Sequence, residues 1–147
     1  MAGGLDLHYV LSRRQGEPVR EVLRRELWRY AAEAVSAQWG AVERGSLTIT
    51  TENTQGELVG GIYGDSAFGC MNILLLWVRE DYRRLGVGTR LLSRAEEASR
   101  QDGCRMLCLD TFNFEAPGFY LKRGFEAYGE VEFYAGGPVK YYFKKQL

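Results

Sequence analysis

One run near the middle of the chain constrains the fold most. Residues 70–78 (CMNILLLWV) are almost wholly apolar and lead into REDYRRLGVG, a glycine-bearing turn. A strand that apolar is expected to be central and buried on both faces. After the turn, Val87, Leu91, Leu92, Ala95 and Ala98 recur at intervals of three and four, the stripe of a helix reaching about Gln101. Gly103 ends it, and a second apolar segment covers 104–110. Strand, turn, helix and strand in that order make a βαβ unit, whose two strands are parallel.

The flanking sequence fills in a mixed sheet. Residues 5–12 alternate, with Leu5, Leu7, Tyr9 and Leu11 on one side, so a strand is expected there. From Glu17 the spacing of Val19, Val22, Leu23, Leu27, Tyr30 and Ala34 is helical, with Pro18 in the first turn and Gly40 at the stop. Strands are expected at 46–51 and 58–63, joined by the turn NTQGE. A short helix at 116–123 stops at Gly124, and aromatic strands follow at 125–134 and 139–144. The order is β-α-β-β-β-α-β-α-β-β. This is an α/β chain with a mixed sheet, and no linker divides it, so residues 1–147 read as a single domain.

Charge and apolar content exclude several functions. Lys and Arg total 19, as do Asp and Glu, so the net charge is zero and nucleic acid is not the expected partner. The longest unbroken apolar run is 73–78, far short of the roughly 18–20 residues of a membrane helix. With no signal-type stretch at the start, a cytoplasmic protein is expected. Cys70, Cys104 and Cys108 are an odd number, which suits free thiols. Cys104 and Cys108 lack a second close pair, and His8 is the only histidine, so no metal is expected.

Arg83-Arg84-Leu85-Gly86-Val87-Gly88-Thr89 carries the chemistry. A helix start offers about four unsatisfied N–H groups and the positive end of the helix dipole, which suits an anion such as phosphate. Gly86 and Gly88 let an anion approach the backbone, and Arg83 and Arg84 add charge. Neither the P-loop pattern nor the three-glycine dinucleotide fingerprint is present.

Arg83-x-x-Gly86-x-Gly88 resembles the Arg/Gln-x-x-Gly-x-Gly/Ala signature of the GNAT superfamily of N-acetyltransferases. Asn113-x-x-Ala116-x-x-Phe119-Tyr120-x-Lys122-x-Gly124-Phe125 is similar to that family's Asn-x-x-Ala-x-x-Leu-Tyr-x-Lys-x-Gly-Phe segment. The element order is the family's too, and the resemblance implies that the strand before the glycine turn splays from its parallel neighbour and leaves main-chain groups free. The resemblance implies acetyl-CoA as co-substrate, with its diphosphate on the turn from Arg83 to Thr89, including Leu85 and Val87. It also implies that backbone groups at Leu76-Trp77-Val78 meet the pantetheine arm and thioester, and that Asn113 bonds near the pantetheine. Asn113 is equally suited to a plain turn role.

The implied reaction is direct attack of an amine on the thioester, with Tyr120 protonating the leaving thiolate. The general base is open among Glu80, Asp110, Asp65, His8 and a water chain. Asp110 is preferred, because strand C-terminal ends border the cleft in such sheets. The acceptor is a small-molecule or peptide amine, and Tyr30, Trp39, Tyr63, Phe68 and Tyr134 are candidates for its wall. Two other readings stand beside the enzyme: an acyl-CoA sensor or scaffold without turnover, and a nucleotide binder. The aromatic C-terminal strands also offer an edge through which two copies could pair as a homodimer.

Overall fold

The computed structural model describes residues 8–13 and 16–147. The chain forms two units, Met1–Val42 and Glu43–Leu147. The first contains helix α1, Glu17–Trp39. Pro18 sits in its first turn, where the missing N–H costs nothing. Gly40 closes it with φ 89°, donating its N–H to the Ser36 carbonyl at 3.2 Å. The strand expected over 5–12 does not form where it can be followed. Residues 8–12 have no regular structure and pair with no strand, and Tyr9, Val10 and Leu11 are exposed. Residues 5–7 lie outside the described residues. Alternation makes a strand only when a ladder partner is at hand.

The second unit is a six-stranded mixed sheet with two helices. Its strands are β1 (Arg44–Glu52), β2 (Leu58–Ala67), β3 (Cys70–Val78), β4 (Met106–Phe112), β5 (Glu126–Glu132) and β6 (Val139–Gln146). They lie in the order β1-β2-β3-β4-β6-β5. Helix α2 (Val87–Gln101) joins β3 to β4, and α3 (Pro117–Leu121) precedes β5. The β2–β3 hairpin turns on Phe68 and Gly69, both with positive φ, as two-residue hairpin turns matched to strand twist require.

The parallel pairing of β3 with β4 is short. It runs from Cys70 opposite Met106 to Ile73 opposite Leu109 and stops. Beyond it β3 stays with β2 as far as Val78, while β4 stays with β6 as far as Phe112. The split begins where β3 carries an extra residue. Tyr63 faces Leu75 and Gly64 faces Ile73, so Leu74 is a bulge. A bulge bends a strand away from its neighbour. Gly64 permits it: a Cβ there would lie 2.6 Å from the Asn72 carbonyl oxygen.

The core lies under α2. Leu91, Leu92, Ala95 and Ser99 on that helix are buried against Ile62, Met71, Ile73, Leu107, Leu109 and Phe143. Ser99, rather than the expected Ala98, completes the stripe. Each fully buried Leu contributes about 1.5–3 kcal/mol. The expectation that β3 is buried on both faces fails in its second half. Leu74, Leu75 and Trp77 are 55%, 66% and 48% exposed, because past Ile73 the strand borders an opening rather than β4.

Candidate active site

The opening between the parted strands is a cavity of about 540 Å³, walled on one side by β3 from Ile73 to Val78. Leu109, Asp110 and Thr111 of β4 line the other, with Phe114, Glu115, Ala116 and Tyr120 at its end. A second cavity of about 460 Å³ lies at the tip of α2, lined by Arg83, Arg84, Gly86, Val87, Gly88, Thr89, Phe119 and Arg123. Leu76, Val78, Arg83, Ala116 and Tyr120 line both, so the two adjoin.

The α2 tip is built to present donors. Gly86 caps the helix in the left-handed region at φ 78°. The Arg90 N–H bonds to Gly86 O at 3.0 Å, the first bond of the helix, which leaves the N–H groups of Val87, Gly88 and Thr89 without helical carbonyls. The Arg90 side chain folds back outside the turn, where Nη2 donates to Leu85 O at 2.8 Å and Nε to Gly86 O at 3.4 Å. A peptide's C=O and N–H point in opposite directions, so holding these carbonyls on one side aims the N–H groups of Gly86 and Val87 to the other. Arg83 Nε donates to Val78 O at 3.0 Å and ties the turn to the end of β3. Arg84 holds φ 62°, a conformation that costs a non-glycine residue energy and recurs at functional turns.

Gly88 differs from Gly86. Its φ is not in the left-handed region, and a Cβ there would meet Phe119 at 3.5 Å and Val78 at 3.7 Å, ordinary contacts. The surrounding protein has room for a methyl group.

Tyr120 is 8% exposed, its ring edge-on to Phe119 at 5.1 Å and to Phe125 at 5.6 Å. Pro117 opens α3 at a first-turn position, so the Pro-Gly pair does not prevent the helix. Burial, and then the charge of Glu115, push the Tyr120 phenol up to about 12. Asp110 accepts a salt bridge from Lys140 Nζ at 2.9 Å, and that carboxylate holds Lys140 above its usual range. Glu115 Oε2 accepts from both Thr111 Oγ1 and the Phe112 N–H at 2.8 Å.

Most of the residues expected to act together are brought together: Leu76, Trp77, Val78, Arg83, Arg84, Gly86, Val87, Gly88, Thr89, Asp110 and Tyr120 all line the joined cavities. Leu85 is 60% exposed and lines neither. Asn113 also lines neither, and clips β4 to β6, its N–H donating to Val139 O at 2.8 Å and its Oδ1 accepting from Val139 N at 3.3 Å. Of the other bases considered, Asp65 accepts from Tyr63 Oη at 2.6 Å away from both cavities, Glu80 starts the turn at 80–82, and His8 belongs to the first unit. Tyr63, Phe68 and Tyr134 line neither cavity; the aromatic walls there come from Trp77, Phe114, Phe119 and Tyr120. Glu115 and Arg123 were not singled out from sequence. Both flank the Asn113–Phe125 segment's key positions without belonging to its pattern.

Among the described residues no group of three or more His, Cys, Asp or Glu is placed to hold a metal ion. Cys70 and Cys108 face each other across the parallel pair at 3.4 Å between sulfurs, and burial, then Cys108, push the Cys70 thiol up to about 12. Among the described residues no helix is long and apolar enough to cross a membrane.

The sequence matches the Acetyltransferase (GNAT) family over residues 10–125. It is 35% identical over 94 residues to the blasticidin-S acetyltransferase of Streptomyces morookaense, covering 63% of this chain and 69% of that one. The structure superposes on that of an Agrobacterium tumefaciens protein described as an acetyltransferase, with TM-score 0.84, 29% identity, and coverage of 96% of this chain and 100% of the other. It also resembles a Bacillus anthracis protein described as a streptothricin acetyltransferase and solved with acetyl coenzyme A, at TM-score 0.62 and 25% identity, over 69% of this chain and 62% of that one. The parted β3 and β4, the capped helix tip and these matches lead to one assignment: the chain belongs to the GNAT acetyltransferase family.

Proposed function

We propose that the chain transfers the acetyl group of acetyl-CoA to the amine of a small cationic acceptor. The observation that carries this reading is the end of β3–β4 pairing at Ile73 and Leu109, with Tyr120 at the resulting gap and the donor-rich α2 tip beside it. The diphosphate lies on the N–H groups of Val87, Gly88 and Thr89, within reach of Arg83 and Arg84. The pantetheine arm runs along β3, where Leu76, Trp77 and Val78 present main-chain groups that β4 no longer pairs. An N–H there polarises the thioester carbonyl, a contribution of about 2.7–4 kcal/mol for such a donor.

As the amine attacks, the C–S bond breaks and Tyr120 gives its proton to the thiolate. A phenol at about 12 holds its proton at every physiological pH. Transfer to a thiol of pKa about 8.5 would be uphill in water. The same desolvation that lifts the phenol lifts a thiolate formed against it, which narrows the gap. In this reading Asp110 takes the acceptor's proton, supported by its position on the cavity wall, where it pairs with Lys140.

The cavity wall carries Asp110 and Glu115 as well as Arg83, with Lys140 paired to Asp110, so its charges offset one another; what supports a cationic acceptor is the aromatic lining of Trp77, Phe114 and Tyr120. Relatives are described as a blasticidin-S acetyltransferase and a streptothricin acetyltransferase, which makes these two compounds, with simple cationic amines, a first acceptor panel. The family match spans both units, from residue 10 to 125, which supports reading the chain as one acetyltransferase domain. The test is acceptor-dependent release of free CoA thiol across that panel and a set of peptide amines. Turnover with a cationic small amine is expected. CoA binding without turnover on any amine would favour a sensor, and tighter binding of ATP than of CoA would favour a nucleotide protein.

A further inference from the structure

Arg123 follows α3 and lies outside the motif positions that point to the family. Its guanidinium makes three contacts at once. It stacks over the Phe119 ring, with Cζ 3.6 Å from the centroid. Nη1 donates to Phe119 O at 2.7 Å. Nη2 donates to Thr89 Oγ1, on the first turn of α2, 34 residues away. The Phe119 ring beneath it borders the space beside Gly88. Nε is buried and has no partner among the described residues.

What this does to Thr89 follows from hydrogen-bond inventory. A hydroxyl has one proton to give and two lone pairs to fill. The guanidinium takes a lone pair of Thr89 Oγ1, and among the described residues the proton has no acceptor. In a helix a threonine hydroxyl usually bonds back to the carbonyl four residues earlier. Here that is Leu85 O, which accepts from Arg90 Nη2 at 2.8 Å and receives no bond from Thr89 Oγ1. A hydroxyl that accepts from a cation is a stronger donor. Thr89 and Arg123 line the same cavity as Gly86 and Gly88.

We propose that Arg123 is a positioning residue that turns the Thr89 hydroxyl into a donor for the CoA diphosphate, so that affinity for the nucleotide half of CoA depends on a side chain from the loop after α3. This rests on the reading that the glycine turn holds that diphosphate. It also explains the choice of arginine: the planar fork reaches a carbonyl and a hydroxyl while stacking on a ring, which a lysine cannot do.

The experiment is calorimetric titration of the full chain with CoA and with pantetheine, which lacks the diphosphate. Wild type is expected to prefer CoA. Arg123→Leu weakens CoA binding by roughly 10–100-fold, as loss of charge-assisted bonds does, and leaves pantetheine within about twofold. Thr89→Val gives a similar loss. The double variant is no worse than the weaker-binding single, because the pair acts as one unit. Arg123→Lys keeps a charge and loses the fork, so it loses at least about threefold of the preference; it also serves if Arg123→Leu unfolds. Full CoA preference in Arg123→Lys, parallel loss of both ligands, or additive losses in the double variant would overturn the inference. A wild type that binds CoA and pantetheine equally would instead remove the diphosphate reading, and this inference with it. Preference kept in Arg123→Leu removes only the role of Arg123.

Discussion

Ile73 and Leu109 are the last residues that β3 and β4 pair across the parallel ladder. The cavity opens immediately beyond them, because Leu74 is an extra residue opposite β2 and turns β3 away. A local irregularity in one hairpin thus creates the gap in a neighbouring strand pair.

That relationship makes Gly64 a stability position. A methyl group there would sit 2.6 Å from Asn72 O and 3.0 Å from the Met71 sulfur. Gly64→Ala is expected to destabilise the fold by about 2–3 kcal/mol, the upper part of the range for overpacking. Chemical denaturation measures it. A change below about 0.5 kcal/mol, the level of a neutral surface substitution, would show that the hairpin accommodates the group elsewhere.

The two turn glycines should respond differently. Gly86→Ala forces a Cβ into φ 78° and is expected to cost about 1–2 kcal/mol. Gly88→Ala meets only ordinary contacts and is expected to fall between neutral and about 1 kcal/mol stabilising, because alanine favours helix. Thermal melts of the two variants check the contrast. Equal destabilisation would mean that Gly88 is also required by the apo backbone.

Tyr120→Phe removes a hydroxyl that bonds to no group among the described residues, and keeps the ring contacts with Phe119 and Phe125. Stability should change by less than about 0.5 kcal/mol, and CoA affinity should hold. The expected loss is in kcat, by roughly 10²–10⁴. Steady-state kinetics with the best acceptor decides; an unchanged kcat takes Tyr120 out of the reaction.

The pH profile follows from the raised Tyr120 value. In the proposed reaction the acid form donates, and at about 12 it persists well above the ordinary tyrosine range. The rate should rise with pH as the acceptor amine loses its proton, with no decline near pH 10. Because Glu115 contributes to the shift, Glu115→Gln moves any alkaline decline to lower pH. A wild-type decline centred near 9 would contradict the acid role or the burial that supports it.

Asp110 and Glu115 share the cavity but not the same task. Glu115 spends one oxygen on Thr111 and Phe112, closing the turn after β4, whereas Asp110 pairs with the Lys140 side chain at 2.9 Å. Asp110→Asn should lower kcat by roughly 10²-fold or more, as loss of a general base does, with little change in the melt. A variant of undiminished kcat would move the base elsewhere, a water chain included.

Periodicity and glycine placement made most of the sheet and both main helices legible, down to β3 at Cys70–Val78. Two features of the fold were not. Alternation at residues 5–12 suggested a strand, but a strand depends on a partner that local sequence does not name. The apolar density of β3 suggested burial on both faces, yet the bulge at Leu74 comes from register, which composition does not encode. At the proposed site, Tyr120 and the glycine turn were singled out from their motifs, and both line the joined cavities. Asn113 was ambiguous, and its clip to Val139 depends on strand pairing across 26 residues. Arg123 was invisible for a similar reason: its meaning lies in Thr89, far off in sequence.

The most direct test is a crystal structure with acetyl-CoA bound. The account predicts the diphosphate on the N–H groups of Val87, Gly88 and Thr89, with the thioester between Leu76–Val78 and Tyr120 and an open space beside Asp110. An empty α2 tip, with coenzyme A bound elsewhere on the chain, would contradict it.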